Sequence, residues 1–380
     1  MISHLLSSKK LQAQLEHVLN FFKTNYPHVR LYLVGGAVRD MVMEREIYDL
    51  DIECFNIKPD EFDEAMGKLE AKGAGKNFFV YKYGKIDLAL PRIEKKVGIG
   101  HRAFKVELAY ETKEASRRRD FTMNALMLDL SSMDIIDHWG GLKDIKNRII
   151  RIVDCEKFQE DSLRVLRAMQ FAARLKFRID STSKEIMRKI PLDDLTNERI
   201  FWEFEKMFNA KWLYYGLFFM NDLLIGKKIF KIELDKKELL KLSRHMLKAR
   251  EVGDSSMYPY YFLYILSSDL HKSVEKLCKD IHAPKIYIKT LKNQTKTPKK
   301  ISDRFLGAIS LNMPICKWLG VYTNDTIQRA KRLNIYENRF DPKIKPSELL
   351  KKGYSGKELG AELRRRNLEA VRKNFGLCCS

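Results

Sequence analysis

The stretch from Leu31 to Glu53, LYLVGGAVRDMVMEREIYDLDIE, constrains the possible fold and chemistry more than any other part of this sequence. Its first apolar residues predict a short strand that ends at Gly35 and Gly36, and a helical segment follows from about Ala37. Because glycine has no Cβ, the backbone of such a turn can approach a phosphate, and the amides entering the helix favour an anion. Arg39, one turn into the helix, is predicted to add a cation to the same phosphate.

Two carboxylates follow on the next predicted strand, from Tyr48 to Glu53. Side chains two residues apart in a strand point to the same side, so Asp49 and Asp51 are expected to project together. Carboxylates that close repel each other unless a cation lies between them, and Mg²⁺ is commonly held by one or two protein carboxylates plus substrate phosphates. Alone, a glycine pair is usually a tight turn and an Asp-x-Asp pair a solvated strand edge. Their order and spacing together predict nucleotidyl transfer.

The charge of the chain points to a polyanionic partner. A formal net charge of +21 and a pI near 9.5 favour nucleic acid or an anionic membrane surface. Membrane attachment is the weaker alternative, because no apolar run approaches the roughly 18 residues of a spanning helix and no signal-peptide pattern follows Met1. Six cysteines without CxxC spacing are typical of reduced thiols, which predicts a cytoplasmic protein, and no stable protein partner is implied.

Several further segments carry structural predictions. A hairpin turning at Gly84 would place Asp87 as a third carboxylate, although an ordinary exposed strand aspartate explains it equally well. The segment 92–116 is predicted to be a mobile basic loop, and the chain beyond Ile150 to be helical, with one long helix over 159–177. Residues 285–300 carry six lysines and no acid, which indicates either a polyanion-binding surface or a merely solubilising one.

Five segments together resemble the class II tRNA nucleotidyltransferases, the family of CCA-adding enzymes that shares its head with bacterial poly(A) polymerases. They are, in chain order, LVGGAVRD with DLD, RRDFTMNA, EDSLRVLRAMQFAARLKF, LTNERIFWEFEKMF and KPSELLKKGYSGKELGAELRRR. The similarity is dense over about residues 30–210 and thin beyond. It implies an α+β fold, in which a small mixed-sheet head like that of DNA polymerase β precedes an all-helical neck, body and tail. The expected domains are a head at 1–145 with its N-terminal helix, a neck at 146–210, a body at 211–300 and a tRNA-binding tail at 301–380.

The resemblance also implies the roles of individual residues. The catalytic residues, which would hold Mg²⁺, are Asp49 and Asp51. The residues implied to bind CTP or ATP are Gly35, Gly36, Arg39, Arg119, Asp120, Asp161, Arg164 and Arg167.

Two of these residues are expected to select the base. Asp161 and Arg164 would lie one turn apart on a shared helical face, where they would accept the amine of C or A and reject U and G, which carry a carbonyl there. The alternative is a surface salt bridge worth under about 1 kcal/mol. Gln170 departs from the family, which usually has an arginine at this position.

The expected function is template-independent addition of C and A nucleotides to the 3′ end of tRNA, with release of pyrophosphate. A poly(A) polymerase or a partial enzyme that adds only A remains the nearer alternative. A non-catalytic RNA-binding protein is the distant one.

Overall fold

A computed structural model describes residues 3–73, 80–96 and 104–376. The chain divides into two compact units, Met1–Leu195 and Thr196–Ser380. All described strands lie in the first unit, and the described part of the second unit is helical. This arrangement confirms the predicted fold class, while the four predicted domain boundaries remain predictions.

A mixed seven-stranded sheet forms the centre of the first unit. The described strands are β1 (Arg30–Val34), β2 (Leu50–Phe55), β3 (Lys72–Gly73), β4 (Val80–Tyr83), β5 (Ile86–Ala89), β6 (Arg92–Lys96), β7 (Phe104–Leu108), β8 (Met127–Asp129), β9 (Ile135–Ile136), β10 (Ile149–Ile150) and β11 (Arg178–Ile179). The strand order of the sheet is β3-β4-β5-β2-β1-β8-β9. The central strand β1, RLYLV, is apolar after its first residue because it is covered on both faces.

The described helices of the first unit are α1 (Lys9–Asn25), α2 (Gly36–Val42), α3 (Pro59–Lys68), α4 (Thr112–Arg117), α5 (Gly141–Asn147), α6 (Cys155–Gln159), α7 (Leu163–Leu175) and α8 (Ser181–Lys189). Those of the second unit are α9 (Asn197–Phe208), α10 (Leu213–Asp222), α11 (Lys236–Val252), α12 (Tyr258–Leu270), α13 (Val274–Asp280), α14 (Lys285–Lys292), α15 (Asp303–Ser310), α16 (Asn324–Arg332), α17 (Pro346–Leu350) and α18 (Gly356–Phe375). Among these residues, no helix is both long and apolar enough to span a bilayer.

The register of three strands positions the predicted carboxylates. β2 pairs with β1 in the antiparallel sense and with β5 in the parallel sense, and Asp51 lies opposite Asp87 in the second pairing. The predicted hairpin of β4 and β5 is confirmed, and Gly84 at its turn has a positive φ of 63°. The chain therefore brings Asp51 and Asp87 side by side at one end of the sheet.

The prediction of a loop over 92–116 is wrong for the described part of that segment. β6 and β7 form an antiparallel hairpin, and α4 begins at Thr112. The strand signal is the alternation of apolar and charged residues in FKVEL, whereas RIEKK has only one apolar residue among its charges and carries no such signal. Gly98 and Gly100, on which the prediction of mobility depended, lie outside the described residues.

The helix predicted over 159–177 is present as α7, but its predicted bounds are wrong because a break precedes Leu163. α6 ends at Gln159 and α7 begins at Leu163. At the break, an Asp161 Oδ1 accepts a hydrogen bond from Leu163 N at 3.2 Å, and the Ser162 hydroxyl donates to Asp194 at 2.5 Å. Short polar side chains that bond locally compete with the helical ladder, and here they interrupt it.

Candidate active site

The glycine turn between β1 and α2 is the most tightly constrained part of the site. Gly35 has φ 72° and ψ −129°, a conformation that is almost restricted to glycine. A Cβ at this position would lie 2.7 Å from Arg119 Nη1 and 4.0 Å from Asp51 Oδ2. Gly36 is the first residue of α2, and a Cβ there would only make an ordinary contact of 3.5 Å with Arg39 Nη2. Gly35 is therefore the position that allows a guanidinium and a carboxylate to lie directly above the turn.

Asp49 and Asp51 lie where the strand periodicity predicts. Both side chains are exposed, whereas Leu50 and Ile52 are buried. Asp49 immediately precedes β2, and Asp51 is its second residue. The structure thus presents two carboxylates on one side of the strand end, beside the glycine turn.

The electrostatic environment of Asp51 disfavours its charge. The residue is exposed to solvent, but the surrounding protein displaces part of the water around its carboxylate and so raises its pKa. Arg119 lowers this pKa by attraction, while the negative charges of Asp87, Asp49 and Glu53 raise it further. The net direction is upward, chiefly because burial removes water from the carboxylate, with the three neighbouring carboxylates adding to the shift.

Asp87, the candidate third carboxylate, carries an ion pair. Lys82 Nζ lies 2.7 Å and 2.8 Å from its two carboxylate oxygens, across the β4–β5 hairpin. Asp87 is therefore close to Asp51 in register and is also partly neutralised. Its participation in a metal site remains a prediction.

A buried glutamate, which the sequence analysis did not single out, binds two consecutive arginines. Glu53 is 2% exposed, and its Oε1 accepts hydrogen bonds from Arg118 Nη2 at 3.0 Å and from Arg119 Nη2 at 2.9 Å. The predicted nucleotide ligand Arg119 is thereby held between β2 and the glycine turn. The period of two from Asp49 through Asp51 to Glu53 places this side chain on the same side of the strand, which is the signal that could have identified it.

Asp120 is buried, and its carboxylate accepts three hydrogen bonds. Its carboxylate accepts hydrogen bonds from Arg167 Nε at 2.6 Å, from Asn124 Nδ2 at 2.9 Å and from the Phe121 backbone at 2.8 Å. Burial alone would raise the pKa of this carboxyl, but Arg167 and Asn124, with a further contribution from Arg164, lower it overall. Asp120 therefore stays ionised and joins the RRDFTMNA segment to α7.

Arg39 is placed differently from the phosphate-facing position that the sequence suggested. It is 4% exposed and donates to Asn124 Oδ1 at 2.7 Å and to both Asp40 oxygens at 3.0 and 2.8 Å, with its guanidinium 5.2 Å from the Phe171 ring centroid. In this arrangement it orients Asn124, which in turn bonds Asp120. Phosphate binding by Arg39 remains a prediction.

The two residues expected to select the base do not share a helical face. Asp161 precedes the first helical residue of α7, although its carbonyl accepts from Arg164 N at 3.1 Å, so the two residues are one turn apart without both belonging to the helix. Arg164 donates to the carbonyl of Lys157 at 2.6 Å and to that of Arg118 at 2.7 Å. Two backbone carbonyls therefore fix its guanidinium next to the RRDFTMNA segment.

Arg167 and Gln170 lie on the next turns of α7. The Arg167 guanidinium lies 5.2 Å from the Phe171 ring centroid while it pairs with Asp120. Gln170 is 1% exposed and accepts from Arg174 Nη1 at 3.4 Å. A buried amide thus occupies the position at which the family usually has an arginine.

The donor set at the end of β2 suits a hard divalent cation. Asp49 and Asp51 offer carboxylate oxygens, and a cation between them would offset both the burial and the like-charge repulsion that raise the pKa of Asp51. Within residues 3–73, 80–96 and 104–376, no group of three or more His, Cys, Asp or Glu side chains could hold a metal. A site of two carboxylates completed by substrate phosphates, which is common for Mg²⁺, needs no third protein ligand.

Comparisons with known proteins agree with this geometry. The family model of the poly A polymerase head domain matches residues 31–151. A CCA-adding enzyme from Buchnera aphidicola is 37% identical over 193 residues, which cover 48% of this chain and 45% of that protein. A multifunctional CCA protein from Stenotrophomonas maltophilia is 36% identical over 192 residues, which cover 47% of this chain and 45% of that protein. The match thus spans less than half the length of these relatives.

One solved structure extends the likeness over the whole chain. The Thermotoga maritima CCA-adding enzyme complexed with tRNA superposes with a TM-score of 0.68 at 21% identity, covering 100% of this chain and 95% of that chain. The fold of both units is therefore that of a CCA-adding enzyme, and the resemblance inferred from the motifs is confirmed.

Proposed function

Because the head of this chain belongs to the class II tRNA nucleotidyltransferase and poly(A) polymerase family, we propose that the protein adds C and A nucleotides from CTP and ATP to the 3′ end of tRNA. The observation that carries the proposal is the convergence of Gly35, Asp51 and Arg119. A glycine-only turn, a carboxylate and a guanidinium lie within about 4 Å of one point, and these are the groups that would hold a triphosphate beside a metal-binding carboxylate.

The proposed chemistry depends on positioning and charge. Nucleotidyltransferases of this family generally use a divalent metal, and we propose Mg²⁺ held by Asp49 and Asp51. When bound, it would activate the 3′-hydroxyl of the RNA and stabilise the pyrophosphate that leaves. The turn at Gly35 allows Arg119 to lie directly above it, where Arg119 would supply a fixed positive charge to the phosphates. Gly36, at the start of α2, would direct its amide towards the same phosphates.

The base would be selected at the start of α7. We propose that Asp161 accepts from the exocyclic amine of C or A while Arg164 donates to a ring or carbonyl acceptor. The support is that Arg164 is held by two backbone carbonyls, so its planar donor group is fixed before the nucleotide arrives. Arg167 and Asp120 form an ion pair that would support these two residues.

The RNA would be held by the basic surface of the second unit. The loop that follows α14 is fixed by hydrogen bonds from Trp318 Nε1 and Tyr264 Oη to the Thr295 carbonyl, at 2.7 and 3.1 Å. Its exposed Lys296 lies in the same basic segment as the exposed Lys289, which lines a groove of about 630 Å³. An ordered loop with exposed lysines loses little entropy on binding phosphates, and this favours RNA binding over mere solubility.

The location proposed for this reaction is the cytoplasm. The described cysteines, Cys54, Cys155, Cys278 and Cys316, are free thiols, as expected in a reducing compartment.

The decisive experiment uses three tRNA substrates, ending before the CCA, after its first C and after its second C. With CTP and ATP together, they should receive CCA, CA and A, and each single nucleotide should stop at the expected intermediate. Long A tracts on many RNAs, with CTP ignored, would replace this proposal by the poly(A) polymerase alternative. Tight tRNA binding without pyrophosphate release would indicate the non-catalytic RNA-binding protein.

A further inference from the structure

Glu53 is a buried carboxylate whose position the proposed chemistry does not explain. It lies in β2 between β1 and β5, opposite Tyr32 and Ala89, and is 2% exposed. A buried carboxylate is costly unless cations or hydrogen-bond donors compensate it. Its Oε1 receives both Arg118 and Arg119, whereas its Oε2 has no hydrogen-bond partner among the described residues. The strand thus keeps a charge in its interior that two consecutive arginines compensate.

Arg119 has two carboxylates within reach. Its Nη2 bonds Glu53, and its Nη1 lies over the Gly35 turn, where Asp51 Oδ2 also comes within 4.0 Å of the position that a Cβ would take. Asp51 attracts Arg119 electrostatically, but the hydrogen bond and the ion pair of Arg119 Nη2 go to Glu53. Without Glu53, the nearest alternative partner of Arg119 would be the carboxylate proposed to hold the metal.

Arg118 extends the same arrangement to the base-selecting region. While its side chain bonds Glu53, its backbone carbonyl accepts from Arg164 Nη2 at 2.7 Å. Displacement of Arg118 would therefore move the acceptor that fixes Arg164. One buried carboxylate is in this way connected to both the triphosphate side and the base side of the site.

We propose that Glu53 is a positioning residue that keeps Arg119 above the glycine turn and away from Asp51, and that holds Arg118 where its carbonyl orients Arg164. The proposal rests on the nucleotidyl-transfer function proposed above. It states which carboxylate of that site pairs with which arginine. Glu53 touches neither nucleotide nor metal. It acts by deciding which carboxylate each arginine binds.

The test is Glu53→Gln, which keeps the shape of the side chain and removes its charge. The loss of a charge-assisted hydrogen bond should weaken CTP and ATP binding roughly tenfold. This weakening should appear in KM and in equilibrium binding of CTP without RNA, with a smaller change in kcat. More Mg²⁺ should also be needed for half-maximal rate, because Arg119 would compete for Asp51.

A matched control is available in α18. Glu362 is 9% exposed and also binds two consecutive arginines, Arg365 at 2.7 Å and Arg366 at 2.8 Å. Glu362→Gln removes an equivalent paired charge outside the head and should leave CTP binding unchanged. Equal effects of the two variants on CTP binding would overturn the proposal, because the effect would then be unspecific.

A double-mutant cycle separates positioning from a structural role. If Glu53 acts through Arg119, then Glu53→Gln should weaken CTP binding in the wild-type protein and much less in an Arg119→Gln background. Full additivity would contradict the proposal. Should Glu53→Gln fail to fold, Glu53→Asp, which keeps the charge but shortens its reach, should show a weaker form of the same KM effect, and an unchanged KM would refute it.

Two outcomes distinguish a failure of the proposed function from a failure of this inference. If the wild-type protein adds no nucleotide to any tRNA but binds CTP more tightly than the Glu53→Gln variant, the positioning role stands and the function does not. If CCA is added and both proteins bind CTP equally, the function stands and the positioning role is refuted.

Discussion

Replacing Asp51 by asparagine should stabilise the protein while abolishing its proposed activity. Asp51 lies opposite Asp87 in the parallel β2–β5 pairing, near Asp49 and Glu53. Burial and, after it, these like charges raise its pKa, although Arg119 attracts the carboxylate. Two unit charges at the roughly 4.8 Å spacing of neighbouring strands repel by about 0.9 kcal/mol in water.

Only part of this repulsion is uncompensated. Lys82 partly neutralises Asp87, and Arg119 attracts Asp51. The net repulsion on Asp51 is therefore about that of one like-charge neighbour. Because Asp51 is exposed to solvent, we expect Asp51→Asn to raise the free energy of unfolding by about 0.5–1 kcal/mol. For a unit of this size, that corresponds to an increase in Tm of about 1–4 °C.

The pH dependence has a definite sign. The folded-state pKa of Asp51 is above its unfolded value, so its ionised form destabilises the fold at neutral pH. This penalty disappears as the pH falls through the folded-state pKa towards the unfolded value of about 3.9. The advantage of Asp51→Asn should therefore be largest at neutral pH and shrink on acidification.

Thermal unfolding of the wild-type and variant proteins in EDTA, in high salt and with added Mg²⁺ measures these effects. Salt should reduce the difference, and Mg²⁺ should stabilise the wild type more than Asp51→Asn, because a ligand stabilises the state that binds it. Asp193→Asn, which removes an exposed charge elsewhere in the first unit, should show neither response. A less stable Asp51→Asn variant in EDTA, or one that still transfers nucleotides, would refute the reasoning.

Three further changes follow from the geometry. Gly35→Ala should destabilise the protein by about 1–3 kcal/mol and weaken CTP binding, because its positive φ and the 2.7 Å contact forbid a Cβ. The control Gly67→Ala in α3, where a Cβ would meet nothing within 4 Å, should stabilise the protein by about 0.5–1 kcal/mol. Urea unfolding and CTP titration measure both variants. Asp120 has a lowered pKa, so its stabilising contribution is present above about pH 4 and is lost as the pH falls through its folded-state pKa. In unfolding experiments at several pH values, Asp120→Asn should be less stable than the wild type at neutral pH, and its free energy of unfolding should fall less on acidification. Replacing Lys289 and Lys296 by alanine should lower the slope of log tRNA affinity against log salt by nearly one for each phosphate that these lysines neutralise, and an unchanged slope would assign them to solubility.

The sequence was sufficient where local rules decide the structure. The alternation of exposed and buried residues at Asp49, Leu50, Asp51 and Ile52 follows from strand periodicity alone. The turn at Gly35 follows from the lack of a Cβ. Both features depend on residues that are close together in the chain, so a single sequence contains the information to place them.

Partners distant in the chain decided the features that the sequence did not reveal. Arg39 is buried and donates a hydrogen bond to Asn124, 85 residues away, although its position one turn into α2 suggested a cation directed at a phosphate. The break before α7 depends on Ser162, which bonds Asp194 32 residues later. Glu53 shares the face of Asp51 but is buried because two arginines from another segment cover it. No local periodicity contains these pairings.

The position of Arg164 changes the physical account of base selection. In the helical-face prediction, Asp161 and Arg164 would have contacted the base together from one face of a helix, with a surface salt bridge between them as the alternative. Arg164 instead uses donors on Nη1 and Nη2 for the carbonyls of Lys157 and Arg118. A guanidinium has five donors, so three N–H groups remain on a plane that the backbone already fixes. If Arg164 selects the base as proposed, discrimination against U and G would depend on a preorganised donor group whose wrong pairing cannot be relieved by rotation.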